Sequence, residues 1–157
     1  MATRKKQGSG GGPPEITNPR ARYRYELIER LECGISLEGP EVKSLRAGLA
    51  SLDEGYARIR GNELWLFGVH IAEYTDKGYA KHEVLRPRKL LVHKRELLRL
   101  RKQIERKGLT LVPLRIYFSE RSLAKVEIAL ARGKNVADKR QSAKEREIKR
   151  ELRGYRR

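Results

Sequence analysis

From Arg24 to Leu37 the chain alternates. In "RYELIERLECGISL" the odd positions carry Tyr25, Leu27, Leu31, Cys33, Ile35 and Leu37, interrupted only by Glu29. The even positions carry Glu26, Arg30, Glu32, Gly34 and Ser36, with Ile28 the exception. Period two belongs to a strand with one apolar and one polar face, so this stretch predicts a single long strand, bent at Gly34. A strand of that length must find sheet partners, which commits the chain to a β core.

The partners are readable downstream. "LEGPEVKSLRAG" (Leu37 to Gly48) breaks the period and predicts a short helix. Pro40 suits its first turn, Glu41 its positive N-terminal end, and Gly48 its stop. "EGYARIRG" and "NELWLFGVHI" meet at Gly61-Asn62 and read as a hairpin. Ala72 to Lys89 has no period and reads as a long loop. "HKRELLRLRKQIERKG" (His93 to Gly108) places Leu97, Leu100 and Ile104 at helical spacing. "LTLVPLRIYF" and "LAKVEIALA", separated by "SERS", read as a second hairpin, with Pro113 requiring an edge or a bulge. Five or six short strands with two helices predict a mainly β fold with flanking helices, an OB-fold-like small β-barrel.

Most apolar residues lie between Tyr23 and Ala131, enough for one small core. The expected organisation is a disordered N-terminal arm over 1–17, which contains "GSGGGPP", an OB-like barrel over 18–133, and a basic tail over 134–157. From Asp138 to Arg157 the tail's bulky apolar residues are Ile148, Leu152 and Tyr155, too few to offset ordering it, so it should be disordered when free.

The 157 residues carry 37 Lys+Arg against 20 Asp+Glu, a net charge of +17. Such an excess calls for a polyanion. No apolar run reaches the roughly 20 residues that span a bilayer, and the N-terminus lacks the apolar segment of a signal peptide. No membrane partner is expected, and nucleic acid is the better reading. Cys33 is the only cysteine, so neither an internal disulfide nor a CxxC pair is possible, which fits a cytoplasmic location.

Catalytic chemistry is sparse. His70, His82 and His93 lack metal-ligand spacing, and no GxSxG or Walker A sequence occurs. The expectation is no enzyme, no cofactor and no metal. Glu38, Glu41, Asp53 and Glu54 could hold Mg²⁺ in a nuclease, but a helix start and a turn explain them as well.

Basic runs say more. "NPRARYRY" (Asn18 to Tyr25) interleaves Arg and Tyr, which pair with phosphates and stack on bases. "LRPRKLL" (Leu85 to Leu91) gathers Arg86, Arg88 and Lys89 around Pro87. Arg20, Arg22, Arg86, Arg88 and Lys89 are the phosphate-contact candidates by charge and position.

These stretches, with "GPEVKSLRAG" followed by "RPRKLL" and with "ALARGKNVADKR" running into the tail, resemble the small protein B family, the tmRNA-binding proteins of bacterial trans-translation. The resemblance implies an adaptor that carries tmRNA to stalled ribosomes. One side would grip the tRNA-like domain of tmRNA, and the other would face ribosomal RNA. Elongation factor Tu and alanyl-tRNA synthetase would be indirect partners through the same RNA. By position, the implied tmRNA-binding residues are Asn18, Glu32 and Leu91. The implied ribosome-binding tail, helical once bound, includes Lys134, Asp138, Lys139, Arg140, Lys144, Arg146, Ile148, Lys149 and Arg150, entering the decoding centre and the mRNA channel. Asn135 and Ala137 depart from the family's usual pattern. A general RNA-binding OB-fold protein or a ribosomal protein is the alternative.

Overall fold

The computed structural model describes residues 12–73, 83–134 and 136–154. In chain order the elements are β1 (Ile16–Thr17), α1 (Ala21–Arg24), β2 (Tyr25–Ile35), α2 (Gly39–Arg46), β3 (Ala50–Ser51), β4 (Tyr56–Arg60), β5 (Glu63–Phe67), β6 (His70–Ile71), β7 (Arg88–Leu91), α3 (Lys94–Lys107), β8 (Thr110–Phe118), β9 (Ala124–Gly133) and α4 (Val136–Gly154). The expected strand, both hairpins and the α2 and α3 helices are present. Leu97 and Leu100 of α3 are buried, and Gly108 ends that helix with φ at 61°. Residues 74–82, including His82, lie outside the described part of the long loop.

Seven strands form one antiparallel sheet in the order β1-β8-β4-β5-β7-β2-β9, and β9 also pairs with β8. The pairings of β4, β5, β7, β2, β9 and β8 thus run in a ring. Around that ring, β4–β5 stands across from β2–β9. The core inside it includes Cys33, Ile35, Leu64, Leu66, Leu90, Leu111, Ile116, Val126 and Ile128, with Leu97 and Leu100 of α3 packed against them. The chain is mainly β with flanking helices, as the alternation predicts.

The two exceptions in that alternation have one cause. The β2–β9 register runs Leu27↔Ala131 and then Glu29↔Leu130, so Ile28 is an extra residue in a bulge. The bulge swaps faces. Beyond it Leu31 and Cys33 join the main core, whereas before it Tyr25 and Leu27 pack with Val112, Ala129 and Ala131 in a second small cluster. The single apolar face expected of this strand is therefore two. Pro113 sits at a comparable register shift in β8–β9, the bulge its missing N–H requires.

One boundary needs correction. The arm expected through residue 17 ends earlier. Ile16 is buried and opposes Ile116 in the sheet, because an apolar residue beside an available strand edge gains both a pairing and a place in the core. The tail, expected to be disordered when free and helical on the ribosome, carries helix α4. Lys134 donates its N–H to the Arg24 carbonyl and its Nζ to the Arg22 carbonyl, which fastens the tail's start to α1. The Arg146 guanidinium then lies 5.4 Å from the Tyr23 ring centroid. A cation–π contact thus adds to the tail's attachment to α1; Ile148 and Leu152 remain exposed.

Candidate nucleic-acid interface

Two of the five phosphate-contact candidates are turned inward. Glu41, in the first turn of α2, is fully buried. Its Oε1 accepts the Glu38 N–H at 2.9 Å and an Arg86 N–H, while its Oε2 accepts from Arg88 Nε. Arg88 is also fully buried, and it donates to the carbonyls of Val69 at 2.8 Å and Val84 at 3.1 Å. Burial alone would push the Glu41 carboxyl up, but the Glu38 N–H and the two guanidiniums outweigh it and hold the group below its ordinary value. The phosphate role expected for Arg88 is corrected: with no exposed atoms it meets no phosphate, and it begins strand β7 rather than sitting in a loop. Arg86 is half-buried and committed to the same carboxylate. Lys89 stays at the surface, opposite Glu63 at 3.1 Å.

The resemblance-derived pair, Glu32 and Leu91, does share a face. Leu90 points into the core and Leu91 outward, as the pleat of a strand dictates. Leu91 opposes Gly34, and Gly34 lies two residues beyond Glu32 on the same side of β2. A Cβ on Gly34 would come within 3.2 Å of Leu91 Cβ, so glycine there allows the leucine to lie across the strand. Glu32 is exposed and accepts a hydrogen bond from the Tyr117 hydroxyl. Burial and that bond push the Tyr117 hydroxyl up to about 12, so it donates throughout the physiological range. The Arg115 guanidinium lies 4.4 Å from the Tyr117 ring centroid, and its Nε donates to Glu127 at 2.9 Å. Arg30 approaches the same Glu127 at 3.4 Å.

Tyr117, Arg115 and Arg30 escaped the sequence reading. Their signal was the strand period itself: they alternate with core residues on strands already expected. Which strands become neighbours is a property of topology, and spacing along one strand does not carry it.

Asn18 is half-buried. Its Nδ2 donates to the carbonyls of Pro113 at 2.9 Å and Leu52 at 3.3 Å. Its amide therefore anchors the turn before α1 rather than reaching outward. That turn presents Arg20 and Arg22, both exposed and without a carboxylate partner among the described residues. Along α4, Arg140, Lys144, Arg146, Lys149 and Arg150 are exposed. The side chains of Asp138 and Lys139, and residues 135 and 155, lie outside the described part.

Burial, with Glu96 and Glu32 nearby, pushes the Cys33 thiol up to about 12. Three of the four carboxylates weighed for Mg²⁺ are engaged elsewhere: Glu38 and Glu41 with Arg86, and Glu54 with Arg24 at 3.7 Å. No group of three or more metal-ligating side chains occurs among the described residues, and no helix there is long and apolar enough to cross a membrane.

A mainly β frame, a large cationic excess and exposed arginines flanking a polar sheet face define a polyanion-binding protein. The chain belongs to the SmpB protein family, whose profile matches residues 15–156. It is 50% identical over 148 residues to an SsrA-binding protein of Oleidesulfovibrio alaskensis, covering 94% of this chain and 95% of that one. It is 52% identical over 153 residues to the SsrA-binding protein of Thermobifida fusca, covering 97% and 95% respectively. A solved structure presented as "tmRNA-SmpB: a journey to the center of the bacterial ribosome" matches with a TM-score of 0.66 at 52% identity, over 78% of this chain and 86% of that one.

Proposed function

We propose that this protein binds SsrA RNA (tmRNA) and carries it to stalled ribosomes for trans-translation. Full-length likeness to SsrA-binding proteins, at about half identity, carries this reading. The chain acts as a cytoplasmic adaptor with an OB-like barrel and performs no covalent chemistry. Glu32 and Leu91 meet the tRNA-like domain. Glu32 repels phosphate, so it accepts hydrogen bonds from base edges, and Tyr117 holds one carboxylate oxygen while leaving the other available. Arg20 and Arg22 neutralise phosphates beside it, with Asn18 fixing their turn. Lys134, Asp138, Lys139, Arg140, Lys144, Arg146, Ile148, Lys149 and Arg150, on α4 and its flank, serve the ribosome, in the decoding centre and the mRNA channel. Elongation factor Tu and alanyl-tRNA synthetase join through the RNA.

Competition tests the reading. The tRNA-like domain of tmRNA should displace labelled tmRNA from this protein far better than bulk tRNA does. Equal displacement would support the general RNA-binding alternative instead.

A further inference from the structure

Helix α1 is only 4 residues long, yet it makes two kinds of contact. Toward the barrel it is fixed. Ala21 is buried, and Arg24 Nη1 donates to the Asp53 carbonyl at 3.2 Å and stands 3.7 Å from Glu54. Just before the helix, Asn18 Nδ2 donates to the carbonyls of Pro113 and Leu52. Toward solvent the same turn presents the exposed side chains of Arg20 and Arg22.

The tail attaches to this turn as well, and α4 lies against α1. Lys134 donates its N–H to the Arg24 carbonyl at 3.0 Å and its Nζ to the Arg22 carbonyl at 2.9 Å. Farther along, the Arg146 guanidinium lies 5.4 Å from the Tyr23 ring centroid. From Val136 to Arg146 the helix rises about 15 Å. One attachment leaves a helix free to turn about it, whereas two that far apart fix its axis. In sequence the tyrosines interleaved with arginine here read as base-stacking residues. Tyr23 instead is half-buried, with its ring beneath a cation of the tail. Arg146 has no carboxylate partner among the described residues, so the ring is what it meets there.

We propose that Tyr23 is a positioning residue, whose contact with Arg146 sets the direction of α4 relative to the RNA face. Its role in ribosome rescue rests on the tmRNA reading, but the geometry of the contact does not. Arg20 and Arg22 meet phosphates from the same rigid turn that holds the tail, so RNA and helix are referred to one element. Without the ring the outer of the two attachments is lost, and the cations beyond Arg146 sweep a wider arc. The contact is modest: an exposed cation–π pair shifts a two-state equilibrium by about two- to fivefold. The helix is therefore aimed rather than locked, and a polyanionic channel can draw it onward.

Energy transfer in the full chain measures the direction. Trp65 is the only tryptophan, and Cys33, the only cysteine, is buried. A dansyl group on Glu151→Cys, an exposed site on α4, is then the single acceptor. The parent should give a narrow distribution of donor–acceptor distances. Tyr23→Ala should broaden it, and Tyr23→Phe should not, because the ring rather than the hydroxyl meets the guanidinium. Arg146→Gln should broaden it as Tyr23→Ala does, and the two together no further than either alone. Tyr23→Ala should lower peptide tagging on stalled ribosomes about two- to fivefold while binding the tRNA-like domain as the parent does, and Tyr23→Phe should tag normally. Parent-like distances in Tyr23→Ala, broadened distances with full tagging, or a Tyr23→Phe that behaves as Tyr23→Ala would each overturn the proposal. So would a Tyr23→Ala chain that loses RNA binding, since that would place the ring in the RNA interface. If the parent itself fails to bind the tRNA-like domain, the tmRNA reading falls, and the distances still decide whether Tyr23 aims the helix. A cooperative urea transition checks that each variant is folded. Should Tyr23→Ala unfold, Arg146→Gln, altered on an exposed helix, decides.

Discussion

Glu41 and Arg88, 47 residues apart in sequence, meet as a fully buried ion pair that ties the first turn of α2 to strand β7. Each charge is compensated several times over. The carboxylate receives two guanidiniums and a backbone N–H, and the Arg88 guanidinium also reaches two carbonyls. "GPEVKSLRAG" and "RPRKLL" are therefore one electrostatic unit folded from two segments. Arg88 brings β7 into register between β5 and β2, and thereby sets Leu91 beside Gly34.

Removing one partner should cost far more than removing both. Arg88→Met leaves the buried carboxylate with only Arg86 and the Glu38 N–H, and should lower stability by about 3–5 kcal/mol, the usual penalty for a buried charge that loses its partner. Arg88→Met combined with Glu41→Leu should recover a substantial part of that. Urea titration of the two variants checks it. An additive double variant would show that the pair is not coupled.

The same pair sets the acid limit. Glu41 is held below its ordinary value when folded, so its contribution to stability is present above the unfolded carboxyl pKa of about 4.3 and is lost as pH falls through the lower folded value. In Arg88→Met the dominant remaining influence is burial, which favours the protonated acid. The acid-unfolding midpoint of that variant should move to higher pH. An unchanged midpoint in a circular dichroism titration would remove Glu41 as the acid-sensitive group.

Glu32→Ala and Leu91→Asp should each weaken binding of the tRNA-like domain while leaving the protein folded, because both side chains are exposed. Tyr117→Phe should produce a smaller loss in the same direction, since it frees the carboxylate it holds. Gel shifts with a circular dichroism control test all three. Parent-like binding by Glu32→Ala or Leu91→Asp would remove that residue from the interface.

How far the sequence speaks is visible in these residues. Alternation reveals β2, and the pleat requires one of Leu90 and Leu91 to face out, but it is the resemblance that names Leu91. Arg88 reads as a phosphate contact because its buried partner lies on another element; a charge in a basic run looks the same whether it faces solvent or a distant carboxylate. Glu41 reads as a helix-start acid for the same reason. Tyr117 and Glu32 are brought together across the sheet by a register that no single strand encodes. The contacts of Lys134 and Arg146 with α1 are likewise tertiary and carry no signal in the tail's own spacing.

Salt should separate the surface arginines from the buried one. Four to six neutralised phosphates give a log–log slope of roughly −3 to −5 for binding of the tRNA-like domain. Arg20→Gln with Arg22→Gln should make that slope shallower by about 1 to 2. Arg86→Gln should change it less, its charge being already engaged by Glu41. Filter binding across a salt series measures this, and a nearly flat response in the parent would remove the phosphate-contact reading altogether.

The tail prediction turns on two contacts. Lys134 and Arg146 fasten the chain to α1, yet beyond them Ile148 and Leu152 cover nothing and stand exposed at helical spacing. A peptide of residues 138–157, cut away from Tyr23 and the Arg22 carbonyl, has too little apolar surface to offset about 1–2 kcal/mol of backbone entropy per residue. Its circular dichroism should be mostly coil. Tyr23→Ala in the full chain should lower the helical signal, because Arg146 loses the ring it covers. A polyanionic channel would restore the helix by neutralising its cations while giving Ile148 and Leu152 a surface to meet. A chain ending at Ala137 should therefore bind the tRNA-like domain almost as the parent does but fail to support peptide tagging on stalled ribosomes. Loss of RNA binding on truncation would place the tail in the RNA interface, and full tagging without it would leave α4 with no role on the ribosome.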